Sequence, residues 1–162
     1  RATRRAVVSV RLNSARRAAT IRHMPVRTFP LRVPTRGHCH VVDITAEVQA
    51  GVGSSGLQDG TATVFVTGST AGLTTVEYEP GLVEDLEEFF ERIAPQGARY
   101  HHEERWHDGN GHSHVRASLL GPSLVIPFAE GKLLLGTWQQ VVLIDFDNRS
   151  RTRDLVVTLT GE

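Results

Sequence analysis

One cysteine, Cys39, is present, so no disulfide can form within the chain, and a lone thiol fits a reducing compartment. No run of 18 apolar residues occurs, which argues against a membrane-spanning helix. No Gly-Lys-Ser/Thr triplet occurs, so the phosphate loop of nucleotide hydrolases is absent. No segment repeats. The first 23 residues contain no acid, yet they hold seven arginines: Arg1, Arg4, Arg5, Arg11, Arg16, Arg17 and Arg22.

That asymmetry hides inside a balanced total. The 162 residues carry 18 Lys plus Arg against 18 Asp plus Glu. Residues 24–162 therefore carry 11 bases against 18 acids, a net of about −7. The arginine segment admits three readings: an organellar transit peptide, an arm for nucleic acid or an anionic membrane, or residues preceding a true start at Met24. The expectation adopted is the third, with 1–23 an Arg-rich extension outside the fold and 24–162 one domain. No aromatic interleaves the arginines, so a stacking platform for single strands is lacking, and neither nucleic acid nor membrane is expected as a partner. The composition, 40% hydrophobic and 22% charged, is that of a globular protein with a real core.

Strands are expected over 26–33, 39–44, 61–67, 73–78, 123–128, 133–135, 138–146 and 154–160. Pro30 inside the first of these argues for an edge strand. A short helix is expected over 44–50, capped by Asp43 or Thr45 and ended by the Gly51–Gly56 loop. The clearest helix covers 80–94, where Leu82, Val83, Leu86, Phe89, Phe90 and Ile93 make an apolar stripe. Pro80 suits its first turn, and Pro95 with Gly97 closes it. Residues 99–112 read as polar loop, and Ser113 as the cap of a short helix ending at Gly121. Gly131-Lys132 reads as a hairpin turn. This order of elements predicts an α+β fold rather than a parallel βαβ array.

Five of the eight histidines fall in fourteen residues: His101, His102, His107, His112 and His114. Glu103, Glu104 and Asp108 share the stretch, with Glu91 further back. Imidazole is the commonest metal ligand, so the segment is either a metal or catalytic site or a solvated polar loop. Read as extended, His112-Ser113-His114 would put both imidazoles on one side. Gly68-Ser69-Thr70-Ala71-Gly72 follows a strand and could cradle a phosphate on its backbone N–H groups, or be a plain turn. Glu77 and Glu79 share a strand face, with Asp85 on a helix flank; paired carboxylates suit a cation or acid–base work, and also an ordinary surface. Arg149, Arg151 and Arg153 alternate along an expected edge strand, as phosphate ligands or as guards against edge pairing. Trp138 is expected in the core or a subunit interface. His38-Cys39-His40 is too compact for one metal.

Taken together these residues resemble the YjbQ family over about 26–162. The matching parts arrive in family order: Ser69-Thr70-Ala71-Gly72-Leu73-Thr74, Glu77, Asp85, Tyr100-His101, Asn110-Gly111-His112-Ser113-His114, Ser118 and Leu120-Gly121-Pro122-Ser123. The tail from Gly131 to Gly136-Thr137-Trp138-Gln139, and the closing Gly161-Glu162, complete the likeness. The resemblance implies an α+β fold with mixed sheets and two main helices, assembled as a compact homotrimer in the cytoplasm. It implies a metal-assisted, thiamine-phosphate synthase-like transferase that joins a pyrimidine methyl diphosphate to a thiazole phosphate. The divalent metal, zinc or magnesium, would sit on His101, His112 and His114. Glu77 and Asp85 would be the catalytic acids, and Ser69 and Thr70 would bind phosphate. The alternative is a non-catalytic trimer that binds a metal or a phosphorylated metabolite. Gly68 and Ser69 depart from the His-Thr that many members carry there, which would alter chemistry that needed that histidine.

Overall fold

The computed structural model describes residues 24–162, so the arginine segment 1–23, its expected place outside the fold included, lies outside the described residues. The elements are β1 (Val26–Thr35), β2 (His40–Asp43), α1 (Thr45–Ser54), β3 (Gly60–Val66), β4 (Ala71–Val76), α2 (Pro80–Ile93), α3 (Glu103–Trp106), α4 (Gly111–Leu120), β5 (Ser123–Ala129), β6 (Lys132–Leu133), β7 (Gln140–Asp145) and β8 (Arg151–Gly161). Every pairing is antiparallel. One sheet runs β1-β8-β3-β5-β6 and the other β2-β7-β4. The α+β expectation therefore holds.

The two sheets face each other across the larger core. Val141 and Leu143 of β7 join Leu155, Val157 and Leu159 of β8, Val64 and Val66 of β3, and Val48 and Val52 of α1. The alternate β7 residues, Val142 and Ile144, point the other way and are joined by Phe146. They meet Phe90 of α2 and Ala117 of α4, and Phe90 sits edge-on to Phe146 at 4.7 Å. Strand β7 is thus covered on both faces, which is why it reads as an unbroken apolar run. Arg116 clamps the helical layer: Nε donates to the Ala94 carbonyl (2.9 Å) and Nη2 to Glu91 (2.5 Å).

Strand β1 lies at a sheet edge with Pro30 inside it, as its proline requires. Strand β8 does not: it lies between β1 and β3, so the expected edge role for Arg151 and Arg153 is corrected, and Arg149 precedes the strand. Helix α1 runs through Gly51 and Gly53 instead of stopping there, because Val48 and Val52 anchor it in the core. Gly51 is required for that packing, since a Cβ there would stand 1.9 Å from the Phe29 ring. Asp43 does not cap α1 as expected; its Oδ1 accepts from Thr45 N (2.8 Å) and Thr45 Oγ1 (2.5 Å), one residue ahead of the helix. Helix α2 begins on Pro80, and Glu79 caps it by accepting from the N–H groups of Gly81 and Leu82. Glu79 is therefore a cap, not a strand carboxylate beside Glu77. Trp138 is 71% exposed in the turn before β7, outside the core of this chain.

Candidate functional site

The end of the sandwich where β7 leads into β8 carries a buried ion network. Arg153 is in phase with Leu155, Val157 and Leu159, so its side chain points inward although it is charged. Its Nε donates to Asp145 Oδ2 (2.8 Å) and its Nη2 to Asp145 Oδ1 (2.5 Å), which ties the two sheets together. Nη2 also donates to Thr70 Oγ1 (2.8 Å) and reaches Asp147 Oδ2 at 3.3 Å. Thr70 donates to Asp147 Oδ2 (2.9 Å), as does Arg151 Nε (3.0 Å). The Thr35 hydroxyl donates to Asp145. Burial pushes the Asp147 carboxyl up, but the hydrogen bonds from Arg151 and Thr70 and the two guanidinium charges outweigh it, and the group stays below its ordinary value. Its other oxygen, Oδ1, is buried without a hydrogen-bond partner.

Beside this network lies a cavity of about 460 Å³, lined by Gly68, Ser69, Ala71, His114, Ala117, Ser118, Gly121 and Pro122. Its floor is the loop between β3 and β4. Among the described residues, nothing accepts a hydrogen bond from the backbone N–H of Gly68, Ser69 or Thr70. Three successive N–H groups after a strand thus have no acceptor among the described residues. Ser69 is exposed at its rim. The Thr70 hydroxyl, in contrast, is committed to Asp147 and Arg153, so its side chain is a strut rather than the free ligand expected, and Thr70 does not line the cavity.

His112 and His114 lie on α4, not on an extended segment. Residues two apart on a helix point to different sides, so the expected pairing of these imidazoles does not occur. His114 lines the cavity and stacks on His102, with ring centroids 4.4 Å apart. Burial, then the charge of His102, holds the His114 pKa below its usual value. His112 is 1% exposed, packed in the interior near Tyr100. Ser113 spends its hydroxyl hydrogen on the Phe146 carbonyl (2.5 Å), so the 3.2 Å contact to His112 Nε2 has the ring donating, and Nδ1 is left as a buried, unpaired acceptor. Burial and the nearby Arg116 charge depress the His112 pKa. His101 points into solvent with a side chain 93% exposed, held only by Glu104.

The three expected ligands His101, His112 and His114 are thus not gathered to one point within the chain. Among the described residues, the ligand atoms that do lie within 4.8 Å of one another belong to His102, Glu103 and Asp108. His102 Nδ1 is buried and unpaired, 3.5 Å from Asp108 Oδ1 and 3.8 Å from Glu103 Oε1. An orphaned imidazole nitrogen between two carboxylates fits a divalent cation. Glu103 has a second duty, since it accepts from the N–H groups of Gly109 (2.6 Å) and Gly111 (2.7 Å) and so shapes the turn that starts α4. Glu77 and Asp85 are exposed, at the end of β4 and on α2, and neither lines the cavity.

Sequence reasoning named His102 only as one of five clustered histidines and Arg153 only as one of three alternating arginines, and it did not reach Asp145 and Asp147. For Arg153 a signal existed: it keeps the alternation of the inward residues of its strand. For His102 none did, because two adjacent histidines in a polar segment are indistinguishable without the turn that aims one of them inward. Cys39 is buried in a left-handed turn with His38, and burial pushes its thiol up to about 12, so it is a poor nucleophile.

Fold and site together define a small antiparallel α+β protein with a histidine-walled cavity at one end of a two-sheet sandwich. Residues 30–162 match the family model described as UPF0047 protein YjbQ-like. A UPF0047 protein of Archaeoglobus fulgidus is 39% identical over 127 residues, covering 78% of this chain and 96% of that protein. A crystal structure from Sulfolobus solfataricus, described as a YbjQ-like protein of unknown function, superposes with a TM-score of 0.82 at 35% identity, covering 86% of this chain and 100% of that one. An uncharacterized YjbQ/UPF0047 family protein from Clostridium acetobutylicum gives 0.74 at 35% identity, covering 81% and 98%. The chain belongs to the YjbQ-like UPF0047 family. No helix among the described residues is long and apolar enough to cross a membrane.

Proposed function

We propose that the cavity between the β3–β4 loop and α4 binds the phosphoryl end of a small phosphorylated metabolite, with a divalent cation held beside it by His102, Glu103 and Asp108. The observation that carries this reading is the run of N–H groups without an acceptor at Gly68, Ser69 and Thr70, the first two in the lining of a cavity whose wall includes His114. The bound cation would neutralise phosphoryl charge. The residues of the chain do the rest: the loop N–H groups and Ser69 orient the phosphate, and His114, whose pKa burial lowers, accepts a proton from a bound group.

The finer reading is a thiamine-phosphate synthase-like transferase acting at this site; the alternative is a binding protein without turnover. Growth rescue of a cell lacking thiamine-phosphate synthase separates them. Rescue by the wild type, lost in His102→Ala and His114→Ala, supports the transferase. Binding of pyrophosphate by calorimetry without rescue supports the binder. Absence of both sinks the phosphate reading. Metal analysis of purified protein, with His102→Ala as the comparison, tests the cation.

Self-association as a homotrimer is part of the same proposal. Phe89 and Ile93 on α2, Val115 and Leu119 on α4, and Trp106 stand exposed, leaving an apolar helical layer that a second copy would cover. Sedimentation equilibrium at a mass of three chains is the expected result, and a monomer at high micromolar concentration would refute it.

A further inference from the structure

Resting on the phosphate-binding reading above, we propose that Arg153 is itself a direct ligand of the bound phosphate, through Nη1, and that glycine at position 68 is what admits the anion to it.

Arg153 is 7% exposed, and its guanidinium is held by Asp145, Thr70 and Asp147 through Nε and Nη2. The two hydrogens of Nη1 reach no acceptor among the described residues. Nη1 is also not among the fully enclosed, unpaired atoms, so it keeps an opening to solvent. Arg153 is not itself a lining residue of the cavity, but Gly68 is, and a Cβ built there would stand 3.3 Å from Nη1, so Nη1 lies directly behind the Gly68 backbone. A side chain at this position would crowd Nη1. The backbone also calls for glycine, with φ at +143°.

Charge compensation shapes what such a site prefers. Arg151 and Arg153 are matched by Asp145 and Asp147, so the network offers no surplus positive charge. An anion is held there by directed N–H groups: three from the loop backbone and those of Nη1. Donors spread around a point suit a tetrahedral oxyanion, as in a phosphate monoester or a diphosphate, which accepts from several directions at once. Because the guanidinium is already fixed by its carboxylates, little side-chain entropy is lost on binding.

The test uses inorganic phosphate and pyrophosphate with the full chain, followed by calorimetry and by the ¹⁵N guanidinium resonances of Arg153. Gly68→Ala removes no side chain of the network, but it sets a methyl against Nη1 on a backbone whose φ favours glycine; Arg153→Lys keeps the charge and removes the whole guanidinium, Nη1 included. Thermal melts establish that each variant is folded. The expected result is a shift of the Arg153 Nη resonances on adding phosphate, and roughly tenfold or greater weakening in both variants. Wild-type binding with unmoved Arg153 resonances, or with unchanged affinity in Gly68→Ala, overturns the role of Arg153 and leaves the phosphate reading standing. Absence of wild-type binding overturns the phosphate reading itself. If Arg153→Lys does not fold, the resonance shift and Gly68→Ala decide.

Discussion

Residues 99–108 and residues 145–153 are both dense in charged side chains, and they end in opposite environments. In the first stretch the pair Arg99–Glu104 closes at 2.8 Å with side chains 83% and 53% exposed. In the second the pair Arg153–Asp145 closes at 2.5 Å with side chains 8% and 0% exposed. The two distances are similar and the physics is not. In water a pair adds little, because solvent already satisfies both partners. Between two sheets each charge has lost its water and must find partners in the protein. Hence the exposed stretch makes small surface clusters such as Arg99 and His101 on Glu104, and the buried one joins two arginines, two aspartates and two threonines in a single network.

Removing one partner from the buried network gives the largest expected effect. Arg153→Leu leaves two carboxylates facing each other between the sheets and should destabilise by about 3–5 kcal/mol in urea denaturation. A loss below about 1 kcal/mol would show that the network does not hold the sandwich end. A smaller effect is expected from pH. His112 is buried with its pKa held below the ordinary 6.5. As pH falls below 6.5 the unfolded chain takes up a proton that the folded chain resists, so stability is full above that value and declines beneath it. The melting temperature should therefore drop between pH 7 and pH 5.5. His112→Gln should flatten that slope, and His101→Gln, in the exposed stretch, should leave it alone. The smallest effect is a null: Arg99→Ala should leave the urea midpoint where it is. A clear shift there would erase the contrast between the two stretches.

Much of the fold was legible in local pattern. Helix α2 shows its stripe and its proline start, and β3 and β7 show β-branched runs. The legible part of the site was the small-residue loop Gly68-Ser69-Thr70 after a strand, which lines the cavity at Gly68 and Ser69. What misled was the side-chain inventory. Histidines in a row drew attention to His101, which is solvated, and treating His112-Ser113-His114 as extended paired two imidazoles that α4 separates. Arg151 and Arg153 looked like edge residues because strand order cannot be read from one strand. The sheet places β8 second from the edge, and its inward phase then buries whatever stands at 153.

By itself the sequence determined the period of the strongest strands and of α2, the α+β class, the loop after β3 and family membership, because these depend on neighbours within a few residues or on the ordered motif as a whole. Only the tertiary structure decided that Arg153 meets Asp145, that Thr70 is a strut, and that His102 rather than His101 stands beside His114. Those outcomes depend on contacts between segments up to 83 residues apart, as in the Thr70–Arg153 bond. Periodicity sets which side of an element a residue occupies, but the partner on that side exists only once the sheets have closed.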